Sequence, residues 1–397
     1  MDETRLKNCR RVEADINLDA IASNLKAMKA LLPEKTEMMA VVKADGYGHG
    51  AVPVAKAAAP YVSGFGVATL QEGINLRHHG VEGMILILGV TFPEDFEELL
   101  QWRLRPAVFE LGQAQELSRL AESSHQKLRI HLAVDTGMSR IGMKPGEESV
   151  RLVKQISCLP GIQIEGIFTH FARADERDKE SAQKQLQDFE NFMGRLKDHG
   201  LEIPYCHCSN SAAMVEGFPS NRLKMCRAGI SMYGIYPSDE VRKDLVELAM
   251  SVKTRVSCLK TIEAGTPVSY GGTFVAAQTM RIATIPVGYG DGYPRSLSGK
   301  GHVLIRGMRA PVLGRICMDQ FMVDVSHIPD VLPQDEVVLM GTQGKERITI
   351  EEIEEAGGEF RYEIICNMGK RIPRVYWSQG RIVGVKDYSD DRYVDFL

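Results

Sequence analysis

Several things are missing from this chain, and each absence excludes something. No run is apolar for long enough to cross a bilayer. The opening Met1-Asp2-Glu3-Thr4-Arg5 lacks the apolar centre of a secretory signal. Charge of one sign is not in excess: the net charge is −4, which gives no electrostatic case for nucleic acid. Cysteine is sparse, with eight in 397 residues, too few for a disulfide framework. No internal repeat or low-complexity tract is visible, so a solenoid is excluded. A reducing cytoplasm is the expected home, with neither membrane nor nucleic acid as a partner. What is present fits a soluble globular protein, with 44% hydrophobic and 25% charged residues. The chain is too long for one ordinary core, so two domains are expected.

Between about residues 38 and 235, short β-like runs alternate with helical stretches. The runs are Met39–Lys43, Phe65–Thr69, Met84–Gly89, Pro106–Phe109, Leu128–Asp135, Ile162–Thr169, Tyr205–Ser209 and Leu223–Ile230. Apolar residues near a 3.6 period predict helices over Thr91–Leu100, Leu111–Glu122 and Lys179–His199. Eight such strands predict a closed parallel (β/α)8 barrel, with a doubly wound open sheet as the alternative. After about Leu245 the helical periodicity fades. Runs such as Ala249–Thr261, Met280–Pro286, Gly301–Ile305, Ala310–Val312 and Gln320–Asp324 predict a β-rich domain, with one short helix over Ile350–Glu355. The expected division is an N-terminal extension at 1–12, the barrel at 13–240 and the β-rich domain at 241–397. Arg11–Leu18 reads as a strand that could pair with the β-rich domain, and Asp19–Leu32 as a helix.

Lys43 is the first candidate for chemistry. It follows the apolar Met38-Met39-Ala40-Val41-Val42 and precedes the turn-forming Ala44-Asp45-Gly46-Tyr47-Gly48-His49-Gly50. An apolar strand end can lower a lysine pKa and make its amine a Schiff-base nucleophile. A lysine that merely reaches out to water is the alternative. Tyr47 lies four residues on, and barrel active sites sit at this carboxyl end of the strands. The last two β runs end in Cys208-Ser209-Asn210-Ser211 and in Arg227-Ala228-Gly229-Ile230. Loops there often hold phosphate, so Ser211, Gly229 and Ile230 form a candidate cradle, compatible with simple helix capping by Ser209–Ser211. Arg140 ends His131-Leu132-Ala133-Val134-Asp135-Thr136-Gly137-Met138-Ser139 and could fork onto a carboxylate, or be solvated. His170 stands at a strand end and is catalytic or structural. Cys206 and Cys208 flank His207, but in extended chain the thiols share one face and the imidazole takes the other. No second cluster has zinc-finger spacing, so packed thiols are expected there and no metal. In the β-rich part, Tyr270 sits on a turn in Val268-Ser269-Tyr270-Gly271-Gly272-Thr273, and Met318 and Asp319 lie in Gly314-Arg315-Ile316-Cys317-Met318-Asp319-Gln320.

Taken together, the segments VVKADGYGHG, HLAVDTGMSRIG, GIFTHFA, SNSAA, CRAGISMYGIYP, VSYGGTF, PVGYGDGYPR and GRICMDQFMVD resemble the alanine racemases, pyridoxal-phosphate enzymes of fold type III, in the family's order and from about Arg11 to about Tyr376. The resemblance implies that Lys43 holds pyridoxal 5′-phosphate covalently and serves as one proton-transfer base, with Tyr270 as the other. It implies that Tyr47, Ser211, Gly229 and Ile230 bind the cofactor phosphate and that Arg227 faces the pyridine nitrogen. Arg140 and Met318 would meet the substrate carboxylate, His170 would link Arg227 to Tyr270, and Tyr289 and Asp319 would line the entrance. It further implies a head-to-tail homodimer in which the β-rich domain of one subunit completes the partner's site. The implied reaction interconverts L- and D-alanine for peptidoglycan. A serine-preferring or broad racemase is a rival, and a non-catalytic pyridoxal-phosphate-binding protein is an alternative of another class. Two positions depart from the family pattern. Ala133 stands where many members carry a carbamylated lysine that steadies the arginine, so no such lysine is expected here. Lys370 stands where some have an entrance tyrosine.

Overall fold

The computed structural model describes residues 9, 11–241 and 244–388. The chain forms two compact units. One comprises Ala20–Gly46 and Ala51–Glu247. The other comprises the N-terminal segment through Asp19, the short piece Tyr47–Gly50, and the chain from Leu248 onward. The first strand, β1 (Val12–Asn17), belongs to the second unit.

The first unit is a barrel. Its strands are β2 (Glu37–Val41), β3 (Gly64–Val67), β4 (Met84–Ile87), β5 (Ala107–Val108), β6 (Leu128–Ala133), β7 (Ile162–Phe168), β8 (Tyr205–His207) and β9 (Met225–Ala228). They pair in parallel as two arcs, β4-β3-β2-β9 and β5-β6-β7-β8. Backbone bonds join the arcs at both seams. Ile87 N–H donates to Arg105 O at 2.8 Å and Arg105 N–H to Ile85 O at 2.9 Å, while Arg227 N–H donates to Ser209 O at 3.0 Å. The ring is therefore closed, and the open doubly wound sheet is excluded. Each of the eight predicted runs overlaps one of these strands, with ends that differ by at most two residues. Continuous apolar runs such as Met84–Ile87 are buried throughout, as strands covered on both faces must be. The predicted helices appear as Phe96–Gln101, Leu111–Ser123 and Glu180–Asp198. The last of these buries Ala182, Leu186, Phe189, Phe192 and Leu196 along one stripe. Truncating Phe189 or Phe192 to Ala would cost about 3–5 kcal/mol.

The second unit is built on one large sheet, mostly antiparallel. Towards one edge of it, β1 lies between Met250–Arg255, antiparallel, and Arg374–Ser378, parallel. Val12, Ala14 and Ile16 are buried while Glu13 and Asp15 face the other way, the period-2 pattern of a strand. A division after residue 12 thus cuts through the sheet, because the pairing of β1 keeps the chain in this unit through Asp19. The run Ala249–Thr261 is two strands, Met250–Arg255 and Cys258–Ile262, with different neighbours. Strands Glu336–Gln343, Arg374–Ser378 and Arg381–Lys386 and the helix Arg361–Cys366 complete the unit.

Candidate active site

Lys43 leaves β2 at the carboxyl end of the barrel and is half-buried. The turn after it is unusual. Ala44, Asp45, Gly46, Tyr47 and Gly48 all have positive φ, at 51°, 49°, 63°, 50° and 78°. A left-handed turn costs roughly 1–2 kcal/mol per non-glycine residue. Fixed polar groups hold it in place. Glu72 accepts from Ala44 N–H at 2.6 Å and Ala68 N–H at 2.7 Å. Asp45 accepts from Ala51 N–H at 2.8 Å, just where the ordinary helix Ala51–Ala58 begins. Tyr233 donates to Val41 O at 3.0 Å. The sequence showed a glycine-rich turn but not its handedness, nor Glu72 as its clamp.

Arg227 stands one residue before the end of β9 and is only 3% exposed. Its Nη1 donates to His207 Nδ1 at 2.8 Å and to His207 O at 3.1 Å. Its Nη2 lies 2.9 Å from both Thr169 O and His170 Nδ1, and 3.1 Å from Cys208 O. Among the described residues the Nε–H has no acceptor. Burial lowers the guanidinium to about 10, still charged at neutral pH. A guanidinium only donates, so His170 Nδ1 must accept and its proton sits on Nε2. Burial first, then the charges of Arg227, Arg140 and Lys43, hold His170 well below its ordinary range. These four predicted residues therefore share one electrostatic neighbourhood at the strand ends.

Beside them, Ser211 opens the short helix Ser211–Val215, which Asn210 caps by accepting from Ala213 N–H at 3.1 Å. Ser211 Oγ accepts from Gly229 N–H at 2.9 Å and Ser231 N–H at 3.3 Å, so the two predicted loops are tied together. Ile230 follows and is buried. Arg140 is exposed, and among the described residues no side chain hydrogen-bonds to it. Ala133 packs in an apolar cluster with Ala107 and Phe168, which leaves no polar partner for that arginine at this position. Its loop is fixed instead by Asp135, which accepts from Gly137 and Ser139 N–H at 3.0 and 2.9 Å. Burial raises Cys206 and Cys208 to about 11 and about 12, so both are inert thiols. His207 spends its ring nitrogens on Arg227 and on His131.

The remaining candidates lie in the second unit. Tyr47 is buried there, its ring 6.3 Å from Tyr362. Tyr270, Tyr289 and Met318 are 71%, 42% and 53% exposed. Backbone bonds knit their turns: Tyr289 N–H donates to Cys317 O at 3.2 Å, and Gly290 N–H to Met318 O at 2.8 Å. Ser269, in the left-handed region at φ 66°, donates through Oγ to Arg315 O at 2.6 Å. Asp319 accepts from Arg371 Nη1 at 2.8 Å. Lys370 beside it is exposed.

A closed parallel barrel with an amine, an imidazole and a buried guanidinium at its strand ends, followed by a β-rich unit, defines the class of two-domain barrel enzymes. Residues 16–237 match the family model for the alanine racemase N-terminal domain, and residues 249–376 match that for the C-terminal domain. The chain is 45% identical to an alanine racemase of Clostridium novyi, over 96% of this chain and 99% of that one. The structure of an alanine racemase of Clostridium difficile superposes with a TM-score of 0.91 at 41% identity, covering 95% and 98% of the two chains. That of Bartonella henselae, which holds covalently bound pyridoxal phosphate, gives 0.82 at 28% identity, covering 92% and 99%. The chain belongs to the alanine racemase family, and is an isomerase that racemises alanine.

Proposed function

We propose that the chain interconverts L- and D-alanine with two bases on opposite faces of the α-carbon, Lys43 and Tyr270 of the partner subunit, and with pyridoxal 5′-phosphate as its cofactor. The observation that carries this reading is the Nε–H of Arg227. It is a charged donor in a buried guanidinium, with its other N–H groups engaged and no acceptor of its own among the described residues. A pyridine nitrogen is the kind of acceptor that suits it. The donor set fits the rest of the cofactor too: an amine at Lys43 to hold it covalently, and the Ser211, Gly229 and Ile230 loops with Tyr47 for its phosphate. When bound, the cofactor withdraws electrons from the substrate and acidifies its α-proton. Arg227 keeps its own proton, which leaves a ring nitrogen largely unprotonated and the electron sink weak. That favours returning the proton to the same carbon over losing it elsewhere.

Lys43 would take or give the proton on one face and Tyr270 on the other. A free tyrosine, near ~10, is a poor base. His170 carries its proton on Nε2 and is braced by Arg227, so it can donate to a phenolate and lower the cost of forming one. Tyr270, Tyr289 and Met318 are large side chains left exposed, which a second copy would cover, and this supports a homodimer with shared sites. The D-alanine formed would supply peptidoglycan, from the cytoplasm. Chiral analysis of products from a panel of L-amino acids, with pyridoxal phosphate added, tests the reading. D-alanine as the dominant product is expected, and D-serine as the dominant product would overturn the substrate assignment.

A further inference from the structure

We propose that His207, His131 and Glu165 form a positioning relay inside the barrel, which fixes the orientation of Arg227 and supplies its distant counter-charge. Its bearing on catalysis rests on the reading of Arg227 given above. The hydrogen bonds themselves do not.

Arg227 is a buried cation with no carboxylate among the partners of its guanidinium. Such a charge is costly unless something compensates it. Its Nη1 can only donate, so His207 Nδ1, 2.8 Å away, must be bare. Burial and the charge of Arg227 keep His207 neutral. A neutral ring with a bare Nδ1 carries its proton on Nε2. That atom lies 3.0 Å from His131 Nδ1, which must then accept. Burial keeps His131 neutral as well, against the pull of Glu165. Its proton is therefore also on Nε2, 3.6 Å from Glu165 Oε2. Donation runs one way, from Arg227 through His207 to His131, whose own Nε2–H faces the Glu165 carboxylate from beyond hydrogen-bond distance, and each tautomer follows from the arginine.

The far end is equally fixed. Arg105 Nε lies 3.0 Å and Arg129 Nη1 3.4 Å from the Glu165 carboxylate. Burial alone would raise this carboxyl. The facing His131 N–H, with the hydrogen bond and charge of Arg105, prevails and brings it to about 2. The sides are walled. Phe168 stacks on His207 at 5.3 Å and 14°, and the Arg227 guanidinium lies 5.8 Å from the centre of the same ring. Gly166 makes room for His131: a Cβ there would stand 2.3 Å from its Nδ1. Only glycine on β7 lets the ring reach its partners.

The test uses the intact holoenzyme with 15N-labelled histidine. His207 and His131 should both read as neutral Nε2–H tautomers that do not titrate between pH 6 and 9. A protonated Nδ1 on either ring, or titration within that window, would overturn the relay. His131→Phe removes the acceptor for His207 and should change the His207 signals and lower kcat on the order of tenfold, with KM little moved. His131→Asn keeps an acceptor near the Nδ1 position and should restore the His207 signals and most of kcat. Native tautomers together with an unchanged kcat in His131→Phe would overturn the positioning role. If the wild-type chain racemises nothing, the tautomers still decide the relay, so its failure and that of the proposed function can be told apart.

Discussion

At the scale of single residues, three substitutions separate the proposed roles. Lys43→Ala should abolish the visible absorbance of a covalently held cofactor and lower turnover by about 10²–10⁴-fold. Unchanged absorbance and turnover would remove the lysine from the account. Tyr270→Phe should leave the cofactor bound while L-to-D turnover collapses by a similar factor, read by circular dichroism of the product. A wild-type rate in that direction would end the two-base account. Arg227→Glu should slow racemisation by roughly tenfold or more and release keto-acid side product. A product ratio identical to wild type would argue against the weak electron sink. Lys43, Arg227 and Ser211 were legible as candidates because each stands at a strand end or turn, whereas Tyr270 entered only through the family resemblance. Glu72, His131 and Glu165 were not. Their roles depend on partners 28 to 76 positions away, and no local pattern encodes such a meeting. Gly166 was the faint signal, a glycine inside a strand where another group comes close.

At the scale of elements, β1 carries a pH effect. Glu13 is raised to about 7, by burial first and then by Asp15, with Glu336 adding to this and Lys253 and Arg255 opposing it. The folded state thus binds this proton more tightly than the unfolded chain does. The resulting stabilisation is whole below about 4.5 and is lost as pH rises through about 7. Glu13→Gln cannot ionise, so it should raise Tm at pH 8 by roughly 2–4 °C and change it little at pH 5. Equal effects at both pH values would dismiss the titration. Barrel strands were legible because each is a short apolar run. The helix Glu147–Ser157 was passed over although it buries Val150, Val153 and Ile156 on one stripe. Strands such as Arg374–Ser378 were missed because their pairing is with β1, far back in the chain.

At the scale of the molecule, shared sites make a quantitative forecast. Mixing Lys43→Ala with Tyr270→Phe subunits should restore activity, since each mixed dimer regains one site with both bases. Random reassortment would bring back about a quarter of the wild-type sites. No recovery, with hybrid dimers shown to form, would place both bases in one subunit. Charge, cysteine usage and the order of segments bounded this level from the start. A closed barrel and the pairing of Arg11–Leu18 with the β-rich domain were both expected from the sequence; what needed three dimensions was the boundary, which falls after Asp19 rather than after residue 12.

The pairing of β1 on both sides also bears on how the protein is made. Val12–Asn17 is synthesised long before its parallel neighbour, which begins at Arg374. At about 5–20 residues per second, that strand waits some tens of seconds with an open edge, exposed to whatever else is being synthesised nearby. Translation speed and chaperone supply should therefore govern the yield of this chain more than its final stability does.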